Sequence, residues 1–372
     1  MLIRKFRKMM IVLSVSATVG SSSTAYSGDR TLDLLCGADN VEDMVVLPGT
    51  DWIIGSGIGD NFFQRGALHV INQENLTVET VPLDLSPSLH ARAPFDKCPA
   101  PPAGNLLSAH GLGLQKHKKG SYNLFVMNHG GRESIEVFRI VPTKQRPNFT
   151  WIGCIVPPPN AMGNSIAVSS EGVVVLSAFT VADHPLPTMA DLSKAVSDHK
   201  PKGPNESRFQ ALKGALFTWD HNRGWEQLPN SELNGNNGLE LSRDGRWVFV
   251  SSWFDRRVVR VALKKGLSES RSISVDFMPD NLRWSFDGKL IATGQDVADP
   301  REVFACTKSA GPGCPTAYAV AQIDPESLTS ETIFRAKGIP EFGTATIGLK
   351  TARGLWLGSV RSPCIGHVNT ER

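Results

Sequence analysis

The chain has 372 residues, of which 41% are hydrophobic and 20% charged. That is ample for a large core and excludes extensive disorder. Its formal net charge is +3, but beyond residue 27 there are 35 basic and 36 acidic side chains, so no basic surface for nucleic acid or acidic membranes is expected.

The first element is a processing segment. Arg4, Lys5, Arg7 and Lys8 precede an apolar run, "MMIVLSVSATVG", that is short for a bilayer span. Small residues follow, with Ala25 and Ser27 at the −3 and −1 places, so cleavage after Ser27 is expected. A retained signal anchor is the alternative. The mature chain, 28–372, is expected to be one exported domain, secreted or periplasmic, with no membrane partner.

Downstream, one element recurs: a turn containing Gly, then an apolar strand ending in small residues. The copies are "LPGTDWIIGSG" (47–57), "HKKGSYNLFVMNH" (117–129), "SSEGVVVLSAF" (169–179), "SRDGRWVFVSSW" (242–253), "SFDGKLIATGQ" (285–295) and "KTARGLWLGSV" (350–360). A second apolar strand follows several of them, as in "SIEVFRIV", "RRVVRVAL" and "TAYAVAQID". Six such meanders predict an all-β fold, a six-bladed β-propeller, whose central channel is expected to be metal-binding from the polar residues taken below. The clearest helical stretch, residues 188–200, falls in an insertion at 181–213.

Six cysteines in an oxidising compartment predict disulfides, and the absence of CxxC argues against a zinc ribbon. Cys306 and Cys314 bracket a Gly/Pro-rich loop, Cys36 and Cys364 lie near the chain ends, and Cys98 and Cys154 remain for each other. Six cysteines allow fifteen connectivities, of which this is the expected one.

Polar residues stand at a shared place in four units, just before an apolar strand that leads into the repeated turn. They are Glu42 and Asp43, Asn164, Asn236 and Asn237, and Asp280 and Asn281. Singly, Asn-Gly and Asp-Asn are turn chemistry. In a ring, however, equivalent positions face one axis, and carboxylate plus amide oxygens are hard ligands suited to calcium. His110 in "LLSAHGLGL" and His129 in "VMNHGG" could stand near the same channel mouth as a base and its orienting partner. No GxSxG elbow, P-loop or dinucleotide fingerprint occurs.

The segments "SAHGLGL", "LFVMNHGGRESIEVFRI", "MGNSIAV", "NGNNGLELSRDGRWVFVSSW" and "PDNLRWSFDGKLIATGQ" resemble the paraoxonase (arylesterase/lactonase) family. More broadly they resemble the gluconolactonase and strictosidine-synthase-like propellers. The resemblance runs from Cys36 to Cys364. It implies a catalytic calcium held by Glu42, Asn164, Asn237, Asp280 and Asn281, and a histidine pair, His110 and His129. It also implies an end-to-end Cys36–Cys364 disulfide. A second, structural calcium would use Asp43 and the carbonyl near Leu112, although Ser165 stands where the family has a further aspartate. The expected activity is calcium-dependent hydrolysis of a small ester or lactone, with His110 as general base and Asp280 as the rival base or nucleophile. The alternatives are a non-catalytic ligand-binding propeller, a sugar lactonase, or an amine-condensing synthase.

Overall fold

The computed structural model describes residues 24–26, 30–59, 63, 65–182, 194, 212–264, 266, 270–307 and 313–369. The expected cleavage site at Ser27 and the helical stretch at 188–200, Lys194 apart, lie outside them.

Six antiparallel sheets surround one axis, as the repeats predict. In chain order their inner strands are Val41–Val46 (blade 1), Ala109–Lys116 (blade 2), Ala161–Val168 (blade 3), Asn236–Leu241 (blade 4), Met278–Trp284 (blade 5) and Ala345–Thr351 (blade 6). Each inner strand touches the next, and blade 6 touches blade 1, so the ring is closed. The recurring sequence element forms the turn into the second strand of each blade, for example Trp52–Gly57 in blade 1 and Trp247–Ser252 in blade 4. Its alternation of Val, Ile, Leu and Trp fills the space between blades. Ile54 and Val70 of blade 1 pack on Leu112, Leu124 and Val126 of blade 2, and Val175 and Leu216 of blade 3 pack on Val248 and Val259 of blade 4.

The ring closes with both ends of the chain. Arg30–Cys36 pairs with Cys364–Val368 on the outside of blade 6, and Thr24–Tyr26 adds an edge strand within the segment expected to be removed. Cys36 lies opposite Cys364 in that ladder, and the two are disulfide-bonded. Cys98 bonds Cys154 and Cys306 bonds Cys314, the expected pairing. Among the described residues no helix is long and apolar enough to cross a membrane.

Because each blade is a meander, the connections from second to third strand gather at the end where the inner strands begin. The turn 129–133 of blade 2, residues 253–256 of blade 4, the short helix Arg301–Thr307 of blade 5 and residues 360–363 of blade 6 all lie at that end. They surround the site described next.

Candidate functional site

All six inner strands break register near their first residues. The ladder slips between Val41 and Asp43, Ala109 and Leu112, Gly163 and Ser165, Asn236 and Leu239, Pro279 and Leu282, and Ala345 and Ile347. A β-bulge frees a residue from the ladder and re-aims its side chain. The residues at these bulges are Glu42, His110, Asn164, Asn237, Asp280 with Asn281, and Thr346. The expected donors therefore stand within the inner strands, at their bulges, and not just before them. Glycines permit the crowding: a Cβ on Gly111 would lie 2.2 Å from the Asn164 carbonyl, and one on Gly238 would lie 2.4 Å from Asn281 Cα.

Glu42, Asn164, Asn237 and Asp280 line one cavity of about 90 Å3 together with His110. Asn281 joins them by donating from Nδ2 to Glu42 Oε1 at 2.7 Å and to the Glu42 carbonyl at 3.1 Å. Thr346 Oγ1 donates to the same carbonyl at 2.7 Å. Asp280 Oδ2 accepts from Gln295 Nε2 at 2.8 Å, and Gln295 is held by Trp253 Nε1 at 2.7 Å. The Asn237 side chain also hydrogen-bonds to Asp280. The neighbouring Asn236 serves the fold instead, accepting from Leu233 N–H at 3.0 Å and donating to the Ser231 carbonyl at 2.9 Å.

Several buried side-chain polar atoms lack a hydrogen-bond partner among the described residues. Four of them are Glu42 Oε2, Asn164 Oδ1, Asn237 Oδ1 and Asn281 Oδ1. Leaving one buried acceptor unsatisfied costs about 1–3 kcal/mol. Four acceptors around a buried carboxyl pair form an arrangement that a cation would satisfy and a further acceptor would not. Among the described residues no cluster of three or more His, Cys, Asp or Glu could hold a metal, so the donor set depends on the amide oxygens. An all-oxygen set of this kind suits calcium and does not suit zinc.

The electrostatics agree with that reading. Burial pushes the Glu42 carboxyl up to about 7, against the pull of Asn281 and Arg283. Burial, reinforced by the Glu42 charge, pushes Asp280 well above the carboxylate range. Burial and the neighbouring His129 push His110 down to about 3, so its imidazole is neutral.

The two histidines meet. His110 Nδ1 lies 2.7 Å from His129 Nε2, and His110 Nε2 lies 3.5 Å from Glu42 Oε1. His129 Nδ1 lies 2.8 Å from Glu133 Oε2, and Glu133 Oε1 accepts from Gly163 N–H at 2.7 Å.

The residues expected to frame a second ion meet a guanidinium instead. Arg283 of blade 5 reaches Asp43 Oδ2 and the Leu112 carbonyl through Nη2, the latter at 2.8 Å. It also donates to the Met44 carbonyl at 2.8 Å and to Glu240 Oε1 at 3.2 Å. Ser165 Oγ accepts from Leu239 N–H at 3.2 Å. A fixed cation of the chain, the Arg283 guanidinium, thus lies against the residues named for a second ion. Even so, burial pushes Asp43 up to about 6, with Arg283 opposing.

Sequence reasoning missed Glu133, Gln295, Thr346 and Arg283, and also the apolar wall. Met162, Phe179, Trp253, Val303, Phe304 and Val360 complete the cavity. Trp253 meets Phe304 edge-on at 5.8 Å between ring centroids and Phe179 at 6.2 Å. The short helix carries Val303 and Phe304 and had no periodic signal long enough to find.

No protein-family model and no curated protein matches the sequence. Among solved structures, a gluconolactonase from Xanthomonas campestris is similar at a TM-score of 0.52 and 16% identity, over 92% of this chain and 90% of that one. A luciferin-regenerating enzyme is similar at a TM-score of 0.52 and 11% identity, over 92% of this chain and 96% of that one. At these identities the likeness is one of fold, the six-bladed propeller.

Proposed function

We propose that the chain is an exported calcium-dependent hydrolase of carboxylic esters or lactones, of paraoxonase type. The observation that carries the reading is the convergence of oxygen donors from four blades on one cavity, three of them with an unsatisfied oxygen, beside a neutral histidine. Glu42, Asn164, Asn237, Asp280 and Asn281 would hold the ion. Bound there, calcium would act as a Lewis acid on the substrate carbonyl and stabilise the developing oxyanion.

The chain's own residues do the rest. His110 Nε2 takes a proton from the attacking water, and His129 holds the opposite edge of the ring. Both Asp280 oxygens cannot be free for that role, since Gln295 and Asn237 bond to the carboxyl. This favours His110 over Asp280 as base. Phe179, Trp253 and Phe304 exclude water and pack an apolar leaving group or acyl chain. That wall favours aryl esters and alkyl lactones over polyol sugar lactones. The three cysteine pairs suit an oxidising compartment.

The test is metal analysis of the purified protein with a panel of aryl acetates and lactones, assayed with and without a chelator. One tightly held calcium per chain and loss of turnover on chelation are expected. Turnover unaffected by chelation overturns the mechanism, and ligand binding without turnover favours the non-catalytic alternative.

A further inference from the structure

We infer that Glu133 is a positioning residue that sets the tautomers of both histidines, so that His110 turns an unprotonated Nε2 toward the cavity. The inference rests on the hydrolase reading for its catalytic consequence and on hydrogen-bond geometry for the rest. As a carboxylate, Glu133 can only accept. Oε1 accepts from Gly163 N–H at 2.7 Å, and Oε2 faces His129 Nδ1 at 2.8 Å. The proton between them therefore sits on His129 Nδ1, and with a single proton on the ring its Nε2 is a lone pair. That lone pair lies 2.7 Å from His110 Nδ1, which must then carry the His110 proton. The remaining nitrogen, His110 Nε2, is left as an acceptor on the side of Glu42. The choice made at Glu133 is thus passed through two rings to the reacting end.

Glu133 is well placed to hold that choice. It sits in the blade 2 turn, its side chain is 17% exposed, and the backbone of blade 3 fixes one of its oxygens. When His110 takes the proton from water it becomes an imidazolium. Its charge is then balanced through His129 by a carboxylate at the edge of solvent.

The Gly163 N–H also dictates what Glu133→Gln would do. It keeps the Gln oxygen on its own side, so the amide NH2 faces His129 Nδ1 as a donor. Both rings must then flip to their Nε2–H forms, and His110 loses its acceptor. Imidazole nitrogen NMR on the full calcium-loaded chain reads this directly. Wild type should show both rings as Nδ1–H, and Glu133→Gln should show both as Nε2–H. In kinetics, kcat should fall about 10²–10⁴-fold, the usual worth of a general base, with KM and calcium content unchanged. Glu133→Asp, which keeps the carboxylate, should recover part of the loss. A wild-type His110 protonated on Nε2 overturns the inference without any variant needing to fold. So does a Glu133→Gln protein with wild-type tautomers. If wild type hydrolyses no ester or lactone, the hydrolase reading fails, and the NMR result still decides the role of Glu133.

Discussion

Glu42→Gln should reverse the stability order of two proteins according to whether calcium is present. The Glu42 carboxyl is 2% exposed, and burial raises it from 4.5 to about 7. Below pH 4.5 the group is protonated in the folded and unfolded chain alike. Between 4.5 and 7 the unfolded chain ionises and the metal-free folded chain does not, so stability falls as pH rises. At 1.36 kcal/mol per pH unit the loss is about 3 kcal/mol once the pH passes 7. A glutamine escapes this penalty. Its oxygen keeps the 2.7 Å bond from Asn281, and its NH2 replaces Oε2, an unsatisfied acceptor facing other acceptors, with a donor. Metal-free Glu42→Gln is therefore expected to melt about 5 °C above metal-free wild type at pH 7.5. The gap should nearly close at pH 4.5. Calcium at about a thousand times Kd inverts the order, because binding then adds about 4.1 kcal/mol to wild type alone. Scanning calorimetry at both pH values, with and without calcium, checks all four corners. A Glu42→Gln protein that gains as much from calcium as wild type does would refute the ligand assignment.

Four further outcomes are expected. Arg283→Met leaves Asp43 buried without its counter-charge and should cost about 3–5 kcal/mol in urea unfolding, while calcium content stays at one ion per chain. Replacing Cys36 and Cys364 together by serine opens a closure of 328 residues, worth on the order of 5 kcal/mol in the chain-entropy model. The same change at Cys306 and Cys314, separated by 8, should cost about 2 kcal/mol, and thermal melts of the two variants compare them. Phe304→Ala removes one side of the apolar wall and should raise KM for phenyl acetate about tenfold, with calcium affinity unchanged.

The repeated turns were legible because each is a local signal: Gly for the bend, then an alternating apolar run. All six mark the same strand of their blades. The proposed calcium donors were legible as a shared position within the repeat, but their placement was off by the bulges. A bulge depends on pairing with the second strand, which adjacent residues do not reveal. Asn236 and Asn237 illustrate this, since one bonds to its own loop and the other turns to the cavity. Arg283 reads in sequence as one residue of an ordinary strand. Its role depends on Met44, Leu112 and Glu240, which three other blades bring to it. Glu133 lies four residues after His129, close enough to notice, yet its second partner, Gly163, belongs to the next blade.

The pairing of Arg30–Cys36 with Cys364–Val368 also orders events in time. The outer strands of blade 6 precede the first blade in the chain, so the last blade cannot be completed until Cys364–Val368 has been made. In a chain exported N-terminus first into an oxidising compartment, Cys36 would arrive 328 residues ahead of its partner. During that interval Cys98 and Cys154 also emerge, and a thiol waiting beside them is exposed to mispairing. Non-local pairing of this kind is slow to form and open to kinetic traps. Production of the protein should therefore depend on disulfide isomerisation more than on the speed of oxidation, and the ring should become protease-resistant only when its two ends have met.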